Sequence, residues 1–334
     1  MQIFPTQYSL LSSAALNDYI SKSYGFSGTS CKLLIHNVSD TYLLENAENK
    51  YIFKIYRDAH RKMEEIKAEV ELLNLLRDGG AKVSYPLKDL EGQQLQSFQA
   101  AEGIRYGVLF SYAEGRVVYD LSPEHLATIG IEMAKIHHIT STIKLENPRR
   151  PYTVATTLTA PIQTIRPAFT SLEEEYKWLA DTAKKAGEKI TQYNPANFSI
   201  GYCHYDFLPK NFHFTDDGEI TFFDFDFAGT GPLANDLASF YIHFFLEVYS
   251  NKISQEKADE KFGVFIDAYR TIRPLSDQEL KAIPYLGFAF WIFYFEFHYE
   301  HFEDWSNFFF GPKFIKDRVA LIKQWTAWYC TDIA

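Results

Sequence analysis

The residues best suited to chemistry lie in His204-Tyr205-Asp206-Phe207-Leu208-Pro209-Lys210-Asn211 and, shortly after, Asp224-Phe225-Asp226. Carboxylates and an amide oxygen this close in sequence suit a hard divalent cation and a proton acceptor, the two requirements of phosphoryl transfer to a hydroxyl. Between them, Asp217-Gly218 is a two-residue hairpin signal whose turn positions both need positive φ. A hairpin centred there sets Asn211 opposite Asp224. Directly opposed Cβ atoms lie about 4.5–5.5 Å apart, so these two side chains are expected to hold one Mg²⁺ between their oxygens. Asp206 enters the hairpin ahead of Asn211, beside the metal rather than on it, where a base would stand.

The neighbouring residues carry weaker signals. His204 is expected to organise the loop through hydrogen bonds rather than to move protons. Asp226 suits a second metal ligand or a loop brace equally. Asp236 precedes an apolar run as helix cap or loop brace, Lys210 reads as a solvated loop lysine rather than a phosphate ligand, and Tyr205 has no assignable role. A cation for nucleotide phosphates is still required. Lys54 stands inside the apolar run Tyr51–Tyr56, where it needs a partner. Glu69 falls on the apolar stripe of Ile66, Leu73 and Leu76, so the two are expected to satisfy each other. Ser39, Asp40 and Thr41 either donate to phosphate or make a turn. Glu296, Glu300, Glu303 and Asp304 recur at helical spacing, which suits an amine-bearing acceptor or a solvated helix face. His298 and His301, with no identifiable third ligand, read as core or surface histidines.

Positioning these residues requires a scaffold. Residues 9–24 and 61–76 read as helices, and 31–36, 41–45, 50–56, 94–99 and 105–112 as strands, the first three forming an antiparallel meander. Ser122-Pro123 supplies an N-cap and first-turn proline for a helix to about residue 138. Helices dominate from there, interrupted by the hairpin. The class is α+β: an antiparallel-sheet N-terminal lobe over 1–110 with one main helix, a hinge at 111–116, and a mostly helical lobe over 117–334. A ligand cleft is expected between the lobes.

The 334 residues, 46% hydrophobic and 17% aromatic, suffice for a large core or two joined ones. A formal charge of -10 argues against broad attraction to nucleic acid or anionic membrane. Cys31, Cys203 and Cys330 fit neither a disulfide framework nor a CxxC site. The N-terminus lacks the pattern of a secretion signal, and the apolar run Tyr285–Phe295 is too short to span a bilayer. A cytoplasmic location is expected.

The ordered set Lys54, Glu69, His204-x-Asp206-x4-Asn211 and Asp224-Phe225-Asp226 resembles the aminoglycoside phosphotransferase family of the protein-kinase-like fold, over nearly the whole chain. Tyr8-Ser9-Leu10-Leu11 and the run from Ile220 to Gly229 look most like its homoserine-kinase-like and stress-response-kinase-like branch. The resemblance implies a two-lobed fold, ATP and Mg²⁺ as cofactors with GTP an open alternative, and transfer of the γ-phosphoryl group to a hydroxyl. The acceptor would be a small metabolite or antibiotic: a homoserine-like amino alcohol, an amino sugar or a choline-like compound. It assigns Asp206 as base, Asn211 and Asp224 as metal ligands, and Lys54 as the phosphate-binding lysine paired with Glu69. The backbone of Ser111 and Ala113 would contact adenine. Two departures stand out: the glycine usual between His and Asp is Tyr205, and Asn37–Tyr42 contains no glycine-rich loop.

Three rival readings are set against this one. A protein serine/threonine kinase would carry an activation segment anchored by Ala-Pro-Glu, whereas Gly229-Thr230-Gly231-Pro232 leads quickly into a helix. A non-catalytic nucleotide-binding module would not need Lys54, Asp206, Asn211 and Asp224 together. A phosphatase forming a phospho-aspartate would place its aspartate pair after an early strand of an alternating β/α sheet.

Overall fold

Apolar side chains at Tyr42, Leu44, Phe53, Ile55 and Leu109 are fully buried against Leu16, Ile20 and Tyr24, so one face of a sheet packs on a helix. Each such side chain contributes roughly 1.5–3 kcal/mol on burial. The computed structural model describes residues 4–301 and 310–334, and the chain divides into two compact units.

The first unit comprises the described residues of Met1–Glu114 with Leu145–Pro148 and Thr221–Phe223. Helix α1 (Ser13–Tyr24) is followed by β1 (Ser30–His36), β2 (Ser39–Glu45), β3 (Lys50–Tyr56), helix α2 (Met63–Asp78), β4 (Leu95–Ala100) and β5 (Gly103–Ser111). The five antiparallel strands run in the order β1-β2-β3-β5-β4. Ser12 caps α1 and Gly25, at φ 71°, ends it in the left-handed region that glycine adopts without strain.

The second unit holds Gly115–Lys144, Arg149–Ile220 and the described residues of Asp224–Ala334. It contains α3 (Pro123–Thr140), α4 (Ala160–Ile165), α5 (Glu173–Gln192), β6 (Ile200–Cys203), β7 (Phe212–Phe214), β9 (Gly229–Pro232), α6 (Ala234–Tyr249), α7 (Gln255–Arg270), α8 (Asp277–His301) and α9 (Pro312–Tyr329). β8 (Ile220–Phe222) follows β7 through the hairpin turn. Ser122 and Pro123 start α3 as expected. α3 packs on α7, and a Cβ at Gly130 would lie 2.4 Å from the Phe265 carbonyl oxygen, so only glycine admits that approach. Among the described residues no helix is long and apolar enough to cross a membrane.

The hairpin turn departs from the two-residue expectation. The Gly218 amide donates to the Thr215 carbonyl, and the Thr215 amide to the Glu219 carbonyl at 2.9 Å. Only Gly218 of the turn has positive φ, at 85°. Asp216 and Asp217 are therefore the central residues of a tight turn, and Gly218 is an extra bulge residue. Thr215 rather than Asp216 faces Glu219, so the register that set Asn211 squarely opposite Asp224 is displaced by one residue.

Arg105, on β5, is a buried anchor that strand patterning does not single out. Its guanidinium donates to the Tyr56 and Ser9 carbonyls at 2.8 and 3.1 Å and to Glu102 at 3.2 Å, and reaches Asp40 at 3.4 Å. Tyr8 lies over both Arg105 and Arg57. Arg105→Ala is expected to lower stability by about 3–5 kcal/mol, because it strands buried acceptors. Urea denaturation measures this, and a loss below about 1 kcal/mol, the range of exposed pairs, would contradict it.

Candidate active site

Four consecutive amides run through Asp206, from His204 to Phe207, and each meets an acceptor. Asp236, in the first turn of α6 and fully buried, accepts the His204 amide on Oδ2 at 2.8 Å and the Tyr205 amide on Oδ1 at 2.7 Å. His137 Nε2 of α3 lies 2.9 Å from the same Oδ2. The Asp206 amide donates to His204 Nδ1 at 3.3 Å, and the Phe207 amide to the Ser239 hydroxyl at 3.2 Å. Of its two expected roles Asp236 fills the loop brace, since the α6 N-cap position is Leu233. His204 organises the loop as expected.

The carboxylate of Asp206 has two unlike oxygens. Oδ2 accepts Asn211 Nδ2 at 2.8 Å and pairs with Lys210 Nζ at 2.8 Å. Oδ1 is buried with no partner at hydrogen-bond geometry among the described residues. Asn211 Nδ2 also donates to the Asp206 main-chain oxygen at 2.8 Å, so both amide protons are spent and the carbonyl oxygen is the end left for a cation. Burial alone would lower the Lys210 pKa, but Asp206 and then Asp224 outweigh it and raise it. Tyr294 of α8 has its phenol driven up by burial first, then by the Asp206 carboxylate through both its charge and a side-chain hydrogen bond, and then by Asp224. Asp224 itself is exposed and has left-handed backbone, φ 62° and ψ 57°.

An exposed carboxylate and an amide oxygen suit a hard cation. Among the described residues no group of three or more His, Cys, Asp or Glu could hold a metal. An ion here would complete its shell with phosphate and water, as Mg²⁺ does and structural Zn²⁺ does not.

Residues that the sequence left unmarked hold the Asp224 segment. Arg149 donates from Nε to the Ala228 carbonyl and from Nη2 to those of Phe225 and Asp226, at 3.1 and 2.6 Å. The Tyr152 hydroxyl donates to the Phe227 carbonyl. Four successive carbonyls, 225 to 228, are thereby tied down. Asp226 is buried, and its main chain belongs to this brace. The only sequence hint was the dipeptide Arg149-Arg150 in a loop, which does not say that Arg149 is buried.

In the first unit, Lys54 and Glu69 are both buried, Lys54 at the centre of the sheet opposite Thr41 and Val108. Ser39, Asp40 and Thr41 lie in β2, not in a loop. Asp40 is fully buried and bonds His36 Nδ1 at 2.7 Å as well as Arg105, so its carboxylate belongs to the anchor network and not to a phosphate contact. The Ser111 amide donates to the Tyr85 carbonyl and its carbonyl accepts from the Ser84 hydroxyl, leaving a second lone pair on that oxygen as its free contact. Ala113 is buried just beyond it.

On α8, Glu296 is buried and paired with Arg150 at 3.0 Å, and Glu300 is exposed with its pKa raised by burial and by Glu296. Glu303 and Asp304 lie outside the described residues. Burial lowers the pKa of His298 to about 4, as for a neutral core histidine.

Tyr205 occupies the position where the resemblance expects glycine, and its φ of 65° explains the expectation. Left-handed backbone costs a side-chain-bearing residue about 1–2 kcal/mol. The ring is fully buried, stacked on Tyr152 at 3.5 Å and 4°, with Phe293 edge-on at 5.0 Å; such pairs contribute about 0.5–1.5 kcal/mol each beyond burial. Tyr205→Ala is expected to cost about 3–5 kcal/mol. Tyr205→Gly should cost about 1 kcal/mol less than Tyr205→Ala, reversing the usual order. Paired denaturation curves test this, and alanine proving the milder change would contradict it.

Known proteins similar to this chain point to its family. The model of the phosphotransferase enzyme family (APH) matches residues 31–275. An uncharacterized protein of Deinococcus radiodurans is 30% identical over 282 residues, 84% of this chain and 80% of its own. A homoserine kinase of Paramagnetospirillum magneticum is 25% identical over 292 residues, covering 84% of this chain and 83% of its own. A solved amicoumacin kinase in complex with AMP-PNP and Ca²⁺ shares the kinase-like fold at a TM-score of 0.75 and 18% identity, over 95% of this chain and 94% of that one. With its braced Asp206 loop and the family match across most of its length, the chain belongs to the APH phosphotransferase family.

Proposed function

We propose that this phosphotransferase moves the γ-phosphoryl group of ATP, bound with Mg²⁺, to the hydroxyl of a small amine-bearing metabolite or antibiotic in the cytoplasm. The observation that carries the reading is the asymmetry of Asp206: Oδ2 is held by Lys210 and Asn211, while Oδ1 has no partner at hydrogen-bond geometry, with the Tyr294 phenol close to the carboxylate. A general base needs an acceptor lone pair within hydrogen-bond reach of the hydroxyl, and Oδ1 is the oxygen that has one to spare. Asp206 orients that hydroxyl and takes its proton. Asn211 and Asp224 would hold the metal, which when bound neutralises charge on the phosphates. Lys54, with Glu69 as its proposed partner, binds the nucleotide phosphates, with Thr41 opposite it on β2 and the Ser39 main chain at the start of that strand. The Ser111 carbonyl and the Ala113 main chain receive the base.

The acceptor class rests on two supports. Homoserine kinase and amicoumacin kinase are among the similar proteins. Glu296 and Glu300 provide carboxylates for an amine, and Arg150 beside Glu296 provides a cation for a carboxylate if the acceptor is an amino acid. A protein acceptor fits less well, because β9 pairs with β6 and α6 follows at Ala234, leaving no long segment after Asp224 to dock a peptide.

Two variants test the assignment. Asp224→Ala is expected to weaken Mg²⁺-dependent ATP binding by at least about tenfold, measured by calorimetry; unchanged binding would remove the metal role. Asp206→Asn should bind ATP as wild type does while losing on the order of 10²–10⁴-fold in turnover, and a fully active variant would remove Asp206 as base.

A further inference from the structure

Lys210 reads as a solvated loop lysine in the sequence, yet its ammonium sits in the middle of the proposed chemistry. Its Nζ is 2.8 Å from Asp206 Oδ2. It directly precedes Asn211 on a 3₁₀ turn, Pro209–Asn211, that follows the braced amides, so its backbone is fixed even though its side chain is half-exposed. An ammonium has three donors. Asp206 is the one ion-pair partner of Lys210 among the described residues.

A surface lysine that only needed solvation would gain little from this position. Side-chain entropy opposes holding a long chain in one geometry for a half-exposed pair. The placement has a chemical consequence instead. Asp206 puts a carboxylate where a polyanionic phosphate must come, and Lys210, paired to its Oδ2, offsets it while leaving Oδ1 untouched. Its remaining N–H groups are free to meet phosphoryl oxygens.

We propose that Lys210 is a further catalytic residue of this enzyme, one that contacts the phosphoryl group in flight as well as steadying the base. This deepens the function proposed above and rests on it. In the step, the bond between the γ-phosphorus and the β–γ bridging oxygen breaks and a bond to the acceptor oxygen forms. The acceptor proton passes to Asp206 Oδ1, and ADP leaves with the bridging electron pair. Negative charge on the three equatorial phosphoryl oxygens is what Lys210 stabilises, through donors already fixed before reaction. Lys54 serves the nucleotide in the ground state, whereas Lys210 acts on the group being transferred. That division predicts an effect on turnover rather than on nucleotide affinity.

The test uses ADP, Mg²⁺ and aluminium fluoride, which mimics the phosphoryl group in flight and needs no acceptor. Calorimetry on the full chain is run with and without fluoride for wild type, Lys210→Met and Lys210→Arg. Wild type is expected to bind Mg·ADP more tightly when aluminium fluoride is present. Lys210→Met should bind Mg·ADP within about twofold of wild type but lose on the order of 10²-fold of the fluoride-dependent gain, with Lys210→Arg recovering most of it. An equal gain in wild type and Lys210→Met, zero included, overturns the role of Lys210. Failure of wild type to bind Mg·ADP at all overturns the nucleotide reading beneath it, which is a separate result. Unchanged thermal unfolding of Lys210→Met confirms that a lost gain is not lost fold.

Discussion

The site depends on one buried carboxylate. Asp236 is fully enclosed, and its two oxygens are met by two consecutive main-chain amides and an imidazole nitrogen. A buried polar group left without such partners would be costly. Since Asp236 is in the first turn of α6, the loop is built onto a helix rather than left to find its own course. Two amides fixed to one carboxylate force a sharp bend, and that bend puts Tyr205 in left-handed backbone. Asp206, the proposed base, is aimed by this bend, so its position is set by a residue distant from it in sequence.

The Asp224 segment is held by the opposite charge. There a guanidinium and a phenol gather four carbonyls, where Asp236, His204 and Ser239 gather four amides. With these four amides and four carbonyls held, the side chains of Asp206, Asn211 and Asp224 are the groups proposed to meet a ligand. Phe290, Phe293 and Tyr152 pack around Tyr205 and close off the interior side. The aromatic richness of the chain thus does more than fill volume. It supports Tyr205, the strained residue next to Asp206.

Much of this was legible in the sequence because periodic patterns and turn chemistry are local. The strands ending at His36, Tyr56 and Ser111 and the helix opened by Ser122-Pro123 fall within a residue or two of expectation. The hairpin after Asn211 was legible too, but its register was not, since a tight turn with a bulge and a two-residue turn share the same Asp-Gly signal. Which carboxylates are structural was also hidden. Asp40 looked available for phosphate because its partner Arg105 lies far along the chain. Arg149 and His137 gave no sign of their roles for the same reason: a buried polar residue earns its place from partners that only the fold brings near. Tyr205 was noticed as a departure from a glycine, and backbone geometry supplies the explanation that residue type alone could not.

The central claim is transfer of a phosphoryl group from nucleotide to a hydroxyl, and ³¹P NMR of the products tests it most directly. Wild-type protein is incubated with Mg·ATP and each of homoserine, hydroxylysine, choline, methylthioribose, an aminoglycoside and a generic protein substrate. The account predicts ADP together with a new phosphomonoester resonance for at least one amine-bearing small molecule. Intact ATP with every small acceptor, or phosphate appearing only on the protein substrate, would contradict it.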